Sequence, residues 1–497
     1  MWLWLVSNAL AAEPALRPYD TGIIDRLTSF VGIFILVGIA WLMSENRRKV
    51  DWKLVGWGVG LQLLFGLVIM SPFVSGIFYV VVNGGVDKLL SFAGDGANFV
   101  FQPVQPHMVE AMDSGGQMTN QFYVGTVNGM SPPLKTFAFW ILPTIIFFSA
   151  LMSALYHLGV MQFLVKGIAW VMVRTLGTSG AESLSAAGNI FVGQTEAPLL
   201  IRPFVGAMTR SELMAVMTGG FATVAGGVLG AYVGFFSDGQ GGYIIPNLPG
   251  HLVVASIISA PAALAIAKVM VPEIGVPATR GTVEMPKDVR KSNVMEAIAG
   301  GASEGMKLAL NVAAMLIAII AIVSMFDWAV SLVPMTICDS GPMFQSFVEG
   351  AATCGTNTVA GADGVIEEAV SGEPLSMSLL LGWMFAPIAF IMGVPWAECV
   401  PIGRLLGEKV VLTEIIAYLN LAGLMTAENP VISERGAVIA SYALCGFANF
   451  GSIGIQIAGI GGIAENKMPE LASLGFRAMT AGVIAACMTG AVAGVML

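Results

Sequence analysis

The sequence predicts an all-α integral membrane protein with eight transmembrane helices, two re-entrant hairpins, interfacial helices and an inverted internal repeat. Of its 497 residues, 56% are hydrophobic and only 11% are charged, and the mean hydropathy is +0.80. A soluble domain carries about 25% charged residues, so most of this surface must face lipid. One span needs about 20 apolar residues, and the chain has room for eight or more. The net charge of −9 argues against a nucleic-acid binder, which would present a basic face.

Apolar runs of helix length predict the eight spans. They lie at Leu27–Met43, Leu54–Val82, Phe137–Leu155, Leu213–Phe235, Leu252–Val271, Leu308–Val333, Ala437–Gly459 and Ala478–Leu497. The segment Gly84–Met112 is less apolar and carries scattered charges. It predicts an amphipathic helix that lies at the outer interface and does not cross.

Charge placement predicts the orientation. Basic residues such as Arg47 and Lys49 follow the first span, and such residues stay in the cytoplasm. Alternate counting puts the basic segments Pro272–Asn293 and Glu465–Arg477 inside and the acidic segment Pro334–Ser376 outside. We therefore expect a multi-pass protein of the cell membrane, the inner membrane in a Gram-negative cell, with both termini outside the cytoplasm.

Cysteine placement leaves one pairing open. Cys338 and Cys354 both fall in the acidic outer segment, where oxidising conditions permit a disulfide. We hypothesise that they pair, with two free thiols as the alternative. Cys399, Cys445 and Cys487 lie in apolar surroundings and are expected to be packing residues.

Two segments are too polar and too interrupted to be spans. Ser179–Phe204 has two short apolar arms around Gly193 and Pro198, which stop regular helix. Trp396–Leu421 carries charged residues between apolar arms. Irregular backbone at membrane depth is tolerated where protein or a watery cavity surrounds it, so both segments predict re-entrant hairpins.

Short repeated sequences indicate an internal duplication. Gly220–Thr223 reads GFAT and Gly446–Asn449 reads GFAN, and each is followed by residues that interrupt an apolar helix. Thr195-Glu196 and Thr413-Glu414 recur at a nearly equal offset. An odd number of crossings separates the copies, which therefore insert with opposite orientation. Inverted repeats with broken helices are typical of a secondary transporter and point to its binding site.

Glu196 and Glu414 are the chemically informative residues of these repeats. A carboxylate near the bilayer centre costs at least about 2.5 kcal/mol, and such residues usually mark a substrate or ion pathway. The alternative is a carboxylate at a wet hairpin rim or at a helix cap. Gln194, Thr195 and Asn449 add hydrogen-bonding groups suited to a neutral polar ligand.

A small cation is the second expected ligand. Backbone carbonyls lose their helical partners at the hairpin tip Asn189–Val192 and at Thr223-Val224, and hard cations prefer such oxygen ligands. Two alternatives stay open. Asn189 and Thr223 could simply cap helix ends, and protons could be coupled through Glu196 or Glu414.

With these residues in place, the chain resembles a concentrative nucleoside transporter. The resemblance runs from about Leu27 to the C-terminus and is carried by four stretches. They are GQTEAPLLIRPF (Gly193–Phe204), CGFANFGSIGI (Cys445–Ile455), ILPTIIFFSALMSALYHLGV (Ile141–Val160) and LGWMFAPIAFIMGVPW (Leu381–Trp396).

The resemblance implies a homotrimer whose scaffold, formed by the first, second, third and sixth spans, supports a mobile transport domain. That domain would carry a nucleoside into the cell by an elevator motion coupled to sodium. The resemblance assigns the nucleobase to Gln194, Thr195 and Glu196 with Val228, and the ribose to Glu414, Asn449 and Ser452 with Phe447. It assigns the sodium ion to backbone oxygens of Asn189, Val192, Thr223 and Val224 and to the Thr223 hydroxyl.

The resulting organisation has six parts. We expect an extracytoplasmic segment at 1–26, scaffold helices 1–3 with the interfacial helix at 27–160, the first half of the transport domain at 161–271, a cytoplasmic loop at 272–300, the sixth helix with the outer acidic loop at 301–376, and the second half of the transport domain at 377–497. No cofactor is expected besides the coupling ion. A channel is one rival, and an intramembrane enzyme is another, although the sequence contains no HExxH motif.

Overall fold

The structure is a computed structural model that describes residues 19–101, 107–112, 118–123, 137–237, 242–281, 293–331, 335–338, 346–349, 353–361, 364–371, 373–374, 376–426 and 431–497. Helices account for most of these residues. The α-helices, numbered in chain order, are α1 (Ile23–Leu42), α2 (Trp52–Met70), α3 (Pro72–Phe101), α4 (Leu142–His157), α5 (Val160–Leu176), α6 (Gly180–Asn189), α7 (Arg202–Val205), α8 (Arg210–Ala222), α9 (Gly226–Phe235), α10 (Leu248–Met270), α11 (Val294–Ser331), α12 (Met377–Ile391), α13 (Cys399–Val411), α14 (Glu414–Thr426), α15 (Glu434–Leu444), α16 (Phe450–Gly461) and α17 (Met468–Met496). A π-helical turn at Phe137–Ile141 precedes α4, and 3-10 turns lie at Ala197–Ile201, Trp396–Glu398 and Glu465–Lys467.

The predicted helical membrane body is confirmed, and short strands that the sequence did not predict pair within the ranges 107–123 and 335–374. The strands are β1 (His107–Met112), β2 (Met118–Tyr123), β3 (Met335–Cys338), β4 (Ser346–Glu349), β5 (Thr353–Gly361), β6 (Gly364–Ser371) and β7 (Glu373–Pro374). They form antiparallel sheets in the orders β1-β2, β4-β3-β7 and β5-β6, with Val109 opposite Gln121 in the first. The side chains of Cys338 and Cys354 lie outside the described part of the structure, so their pairing stays a prediction.

The predicted bounds of the span Leu54–Val82 and of the interfacial helix Gly84–Met112 are wrong. Helix α2 ends before Ser71, and α3 then runs unbroken for 30 residues. The residue before a proline is restricted to extended backbone, and Ser71 before Pro72 has φ −63° and ψ 144°. By length and composition, Val74–Phe101 could itself cross a membrane.

Helix α5 was missed, because Lys166, Arg174 and other polar residues interrupt its apolar pattern. It bends by 78° from α4 at Gly159, whose φ of +86° is favourable only for glycine. Seven described helices are long and apolar enough to cross a membrane, or eight if this bent pair counts as one span. The eight predicted spans therefore do not match the helices one to one.

Two helices begin earlier than their apolar runs predicted. Helix α11 starts at Val294 rather than Leu308, so the predicted cytoplasmic loop 272–300 includes its first turns, and residues 282–292 of that loop lie outside the described residues. Helix α17 starts at Met468, inside the predicted loop Glu465–Arg477. Hydropathy detects the apolar part of a helix and misses polar turns that extend beyond it.

Both predicted hairpins have two helical arms that meet at an irregular tip. In hairpin 1, α6 ends at Asn189 and the 3-10 turn at Ala197 begins the second arm. In hairpin 2, α13 and α14 are separated by Leu412-Thr413. The predicted breaks are also present, because Thr223–Ala225 separate α8 from α9 and Cys445–Asn449 separate α15 from α16.

Two groups of helices pack closely. Helix α1 lies against α17 and α2 against α10, whereas α4 lies along α11. At the α4–α11 contact, a Cβ on Gly305 would come within 2.8 Å of the Ile146 Cα, so small residues permit this approach. Arg435 joins the first group, since its guanidinium donates to the Ser29 hydroxyl at 3.1 Å and to the Gly494 carbonyl at 2.9 Å.

A buried charge cluster fixes the base of hairpin 1. The ammonium of Lys268 on α10 lies 2.7 Å from the Glu182 carboxylate on α6 and 3.2 Å from Glu273. The Ser179 hydroxyl donates to Glu212 at 2.6 Å. Buried charges need partners of opposite sign, so this cluster ties the hairpin to α8 and α10.

Candidate functional site

The break between α15 and α16 brings Asn449 to Glu414. Asn449 is the N-cap of α16, and its side-chain oxygen accepts a hydrogen bond from the Ser452 backbone N–H at 2.9 Å. Its amide nitrogen donates to the Glu414 carboxylate at 3.0 Å. One asparagine therefore caps the second half of the broken helix and orients the carboxylate at the start of α14.

Helix α9 supplies the second partner of Glu414. The Tyr232 hydroxyl donates to the other carboxylate oxygen at 3.0 Å, and the Tyr232 ring stacks on Tyr418 with centroids 4.5 Å apart. Glu414 is 2% exposed. The carboxylate is thus held in one orientation by groups from the first repeat and the second.

A second hydrogen-bonded group joins hairpin 1 to α16. The Gln194 amide donates to the Ser452 hydroxyl at 3.2 Å and accepts from the Gln456 amide at 2.9 Å. Gln456 also donates to the Met217 carbonyl at 3.2 Å. The base-side residue Gln194 and the ribose-side residue Ser452 of the sequence prediction are therefore direct neighbours.

The remaining predicted substrate residues lie around these groups. Val228 is buried on the same helix as Tyr232, and Phe447 is half-buried in the break before α16. The Thr195 side chain faces Gly459, where a built Cβ would meet the Thr195 Cγ2 at 3.2 Å. Glu196 belongs to neither hydrogen-bonded group among the described residues, and its carboxylate lies over Gly193 instead.

Hairpin 1 contacts the break between α8 and α9, near the residues predicted to hold the cation. The Gly226 N–H donates to the Phe191 carbonyl at 3.0 Å, which joins the hairpin tip to the second half of the broken helix. The Thr223 hydroxyl donates to the Gly219 carbonyl at 2.8 Å, which leaves its oxygen lone pairs available. Val192 and Val224 are buried on either side of the junction.

Asn189 is the informative residue of this junction. Its side chain is fully buried, and neither its amide nitrogen nor its amide oxygen has a hydrogen-bond partner among the described residues. A Cβ on Gly219 would lie 3.2 Å from the amide nitrogen, so the side chain faces α8. Buried polar atoms without partners are rare and indicate a missing ligand or water.

Three residues of the site, Tyr232, Gln456 and Lys409, were not predicted from the sequence. Tyr232 follows Val228 by four residues and Gln456 follows Ser452 by four, so each lies on the same helix face as a predicted residue. Lys409 is 1% exposed on hairpin 2, and its ammonium donates to the Ala443 carbonyl at 2.9 Å and the Cys445 carbonyl at 3.4 Å. A lysine within an apolar hairpin arm was the signal for it.

The structure has two hairpins, two interrupted helices beside them, and polar groups that converge at the interruptions. This combination is typical of a membrane transporter built from broken helices, and it defines the class of this protein. Family comparisons make the class specific. The family described as "Na+ dependent nucleoside transporter C-terminus" matches residues 251–494, and "Na+ dependent nucleoside transporter N-terminus" matches residues 31–104. The family described as "Nucleoside recognition" matches residues 138–239.

Characterised relatives cover the chain almost completely. Solute carrier family 28 member 3 of Mus musculus is 35% identical over an alignment of 513 positions, which covers 100% of this chain and 63% of that protein. Sodium/nucleoside cotransporter 1 of Rattus norvegicus is 34% identical over an alignment of 507 positions, which covers 98% of this chain and 65% of that protein. The chain thus spans slightly less than two thirds of the length of these relatives.

Solved structures match over nearly their whole length. CNTnw in an inward-facing substrate-bound state is 33% identical, with a TM-score of 0.74, and the match covers 95% of this chain and 97% of that one. A variant of CNTnw in an outward-facing state is 33% identical with a TM-score of 0.76, covering 96% and 98%. The chain belongs to the concentrative nucleoside transporter family, which is a family of transporters and not of enzymes.

Proposed function

We propose that this protein is a sodium-coupled symporter that moves nucleosides into the cell. The observation that carries the proposal is the pair of hydrogen-bonded groups at the helix breaks, Glu414 with Asn449 and Tyr232, and Gln194 with Ser452. Carboxylate, amide and hydroxyl groups can bind the hydroxyls of a ribose and the edge of a base without needing a charge on the ligand.

We assign the substrate roles as the family resemblance implies, and the placement of the residues supports them. The ribose binds Glu414, Asn449 and Ser452 beside Phe447, and the nucleobase binds Gln194, Thr195 and Glu196 beside Val228. In the structure, Gln194 and Ser452 hydrogen-bond to each other, as do Glu414 and Asn449. A nucleoside therefore exchanges these internal hydrogen bonds for its own, which keeps the net gain in free energy modest.

Sodium binds at the junction of hairpin 1 and the broken helix. Its ligands are backbone oxygens at Asn189, Val192, Thr223 and Val224 together with the Thr223 hydroxyl. The unpartnered buried side chain of Asn189 supports a ligand at this junction. Relatives named as sodium/nucleoside cotransporters favour sodium over the alternative of proton coupling.

Transport proceeds by an elevator motion of one group of helices past another. We assign the stationary scaffold to α1, α2, α4 and α11, which correspond to the first, second, third and sixth predicted spans. Within it, α4 and α11 pack along each other. Glycines line the surface of α9 that faces α4. A Cβ on Gly226 would lie 3.0 Å from Met152, and a Cβ on Gly230 would lie 2.5 Å from Phe148, so only glycine lets the two helices approach this closely.

The same proposal includes a homotrimer in the cell membrane with both termini outside the cytoplasm. Exposed apolar side chains on α11, such as Leu310 (61%) and Ile317 (73%), provide a surface for lipid or for neighbouring scaffolds. The segment 1–26 lies largely outside the described residues, so its extracytoplasmic position rests on the charge of the loops alone.

Uptake by proteoliposomes tests this function. We expect labelled uridine to accumulate when an inward sodium gradient is imposed and not when an equal proton gradient is imposed alone. Uptake should saturate and should collapse when the gradient is dissipated, which separates a symporter from a channel. Uptake driven by protons alone would contradict the assigned sodium site, and no uptake of any nucleoside would contradict the function.

A further inference from the structure

A separate cavity of about 190 Å³ lies between the tip of hairpin 1 and the scaffold helices. Helix α4 lines it with Ser149, Tyr156 and His157, α11 contributes Glu304, and the hairpin contributes Glu196. Of the residues assigned above to the nucleobase and ribose, only Glu196 lines this cavity. The cavity is therefore adjacent to the principal site and distinct from it.

Three buried polar atoms of the cavity wall have no hydrogen-bond partner in the part of the chain that the structure describes. They are the Tyr156 hydroxyl oxygen, the His157 Nδ1 and one oxygen of the Glu196 carboxylate. They come from two elements that are far apart in sequence, and all three residues line the same space. Since buried polar atoms are nearly always hydrogen-bonded, their convergence on one cavity indicates a polar ligand there.

The wall chemistry limits the class of that ligand. Two carboxylates, Glu196 and Glu304, accept hydrogen bonds, and among the described residues that line the cavity none is Lys or Arg. An anion is therefore disfavoured. Phe191, Leu199 and Leu308 supply apolar surface, and small-molecule sites typically combine such surface with a few polar groups. A flat molecule with N–H donors on its edge fits this combination, and a nucleobase is such a molecule.

The cavity also straddles the boundary between the two groups of helices. Its α4 and α11 walls belong to the proposed scaffold, while Glu196 belongs to the moving hairpin. His157 ends α4, and α11 begins after the basic segment that the charge pattern places in the cytoplasm. The cavity thus lies on the cytoplasmic side of the principal site.

We propose that this cavity is a second, transient binding site for the nucleobase on its way between the principal site and the cytoplasm. The inference rests on the proposed nucleoside transport. Glu196 contacts the base in both places, while Tyr156, His157 and Glu304 replace the partners that the base leaves behind. These three residues therefore bind the base in the release path only.

A cysteine in the cavity wall tests the proposal. Met152 lines the cavity without contributing a polar group, so Met152→Cys adds a reporter thiol and removes none of the proposed contacts. Its reaction with a small water-soluble thiol reagent is followed by mass spectrometry of the peptide that contains residue 152, so the five native cysteines do not interfere. We expect uridine with sodium to slow this reaction at least fivefold.

Two second-site variants separate the cavity from the principal site. Asn449→Ala weakens the principal site, and uridine at high concentration should still protect Met152→Cys. Tyr156→Phe or Glu304→Gln should reduce that protection at least threefold while equilibrium binding of labelled uridine changes less than twofold. Glu434→Gln, which removes an exposed carboxylate elsewhere, is the matched control and should leave protection unchanged.

The opposite pattern would overturn the proposal. If Asn449→Ala abolishes protection while Tyr156→Phe preserves it, the effect belongs to the principal site. A thiol that never reacts without uridine also refutes it, because the cavity would then be closed to a small molecule. If the wild-type protein neither binds nor transports uridine, the proposed function fails. If it does both and uridine never protects residue 152, only this further inference fails.

Discussion

Single side chains in the site each hold one partner in place. Tyr232 donates to Glu414 from one side and Asn449 donates from the other. The resemblance already placed Glu414 and Asn449 at one site, whereas the contact with Tyr232 could not be predicted, because 182 residues separate the partners along the chain. The sequence did indicate the type of residue at the site. A carboxylate and an amide at interruptions of apolar helices usually serve to bind a ligand.

Removing the Tyr232 hydroxyl should weaken nucleoside binding without unfolding the protein. Tyr232→Phe keeps the ring that stacks on Tyr418 but leaves one oxygen of Glu414 without its donor. A hydrogen bond to a charged group contributes about 1.5–3 kcal/mol, which corresponds to a roughly 10- to 100-fold higher Kd. Equilibrium binding of labelled uridine measures the change.

Tyr79→Phe is the control for this prediction. Tyr79 contacts the His251 ring on α10 and makes no described contact with Glu414. Its Kd for uridine should stay within twofold of the wild-type value. An unchanged Kd for Tyr232→Phe would mean that Tyr232 does not orient Glu414 in the substrate-bound state.

At the scale of elements, the breaks and hairpins were predictable and their anchoring was not. Gly193 and Pro198 interrupt an apolar run in a way that local propensity explains. The pairing of Lys268 with Glu182 depends on how α6 packs on α10, which no local pattern encodes. Helix α5 was not predicted, because the polar residues Lys166 and Arg174 interrupt its apolar pattern and hydropathy alone does not detect it.

Lys409 stabilises the break between α15 and α16. Its ammonium binds the Ala443 and Cys445 carbonyls at the end of α15, where carbonyls lack helical partners. In Lys409→Met these buried carbonyls would lose their donor, at a cost of about 1–3 kcal/mol each. We expect the midpoint of thermal unfolding to fall by several degrees, measured in detergent by intrinsic fluorescence.

Lys467→Met supplies the comparison for that prediction. Lys467 also donates to a backbone carbonyl, that of Met208, but it is only partly buried. Water can replace its hydrogen bond, so its unfolding midpoint should shift much less. Equal shifts for the two variants would show that burial of the Lys409 contact adds nothing to stability.

For the whole molecule, sodium should stabilise the fold. A ligand that binds only the folded state adds about 2.7 kcal/mol at a concentration 100 times its Kd. We expect the unfolding midpoint to rise with sodium chloride and not with choline chloride at equal ionic strength. Thr223→Val should reduce the sodium-dependent rise, because it removes the hydroxyl ligand while keeping the side-chain shape.

Thr175→Val is the matched control for Thr223→Val. Thr175 donates to the Val171 carbonyl four residues earlier, as Thr223 does to Gly219, but it lies on α5 away from the junction. Its sodium response should equal that of the wild type. A full sodium response in Thr223→Val would remove Thr223 from the ion site.

Acid should weaken the ion pairs that join the segment after α1 to α8 and α17. Glu45 follows α1, and its carboxylate lies 2.9 Å from Arg210 and 3.5 Å from Arg477. The hydrogen bond from Arg210 lowers the pKa of Glu45, so its stabilising effect is complete above the unfolded pKa of about 4.3 and is lost as the pH falls through the lower folded value.

The comparison of Glu45→Gln with the wild type tests this linkage. A third of each side chain is exposed, so the pair contributes only about 0.2–1 kcal/mol. The two unfolding midpoints should differ slightly at pH 7 and converge below about pH 4. A difference that grows towards low pH would have the wrong sign for this ion pair.

The tip of hairpin 1 places ion and substrate groups on one short stretch of chain. Val192 belongs to the proposed sodium site and Gln194 to the nucleoside site, and the bond from Gly226 to Phe191 fastens both to the broken helix. Coupling between two ligands is reciprocal by thermodynamic necessity. If sodium raises the affinity for uridine by some factor, uridine must raise the affinity for sodium by the same factor. The release of sodium into the cytoplasm would therefore lower the affinity for the nucleoside and favour its release.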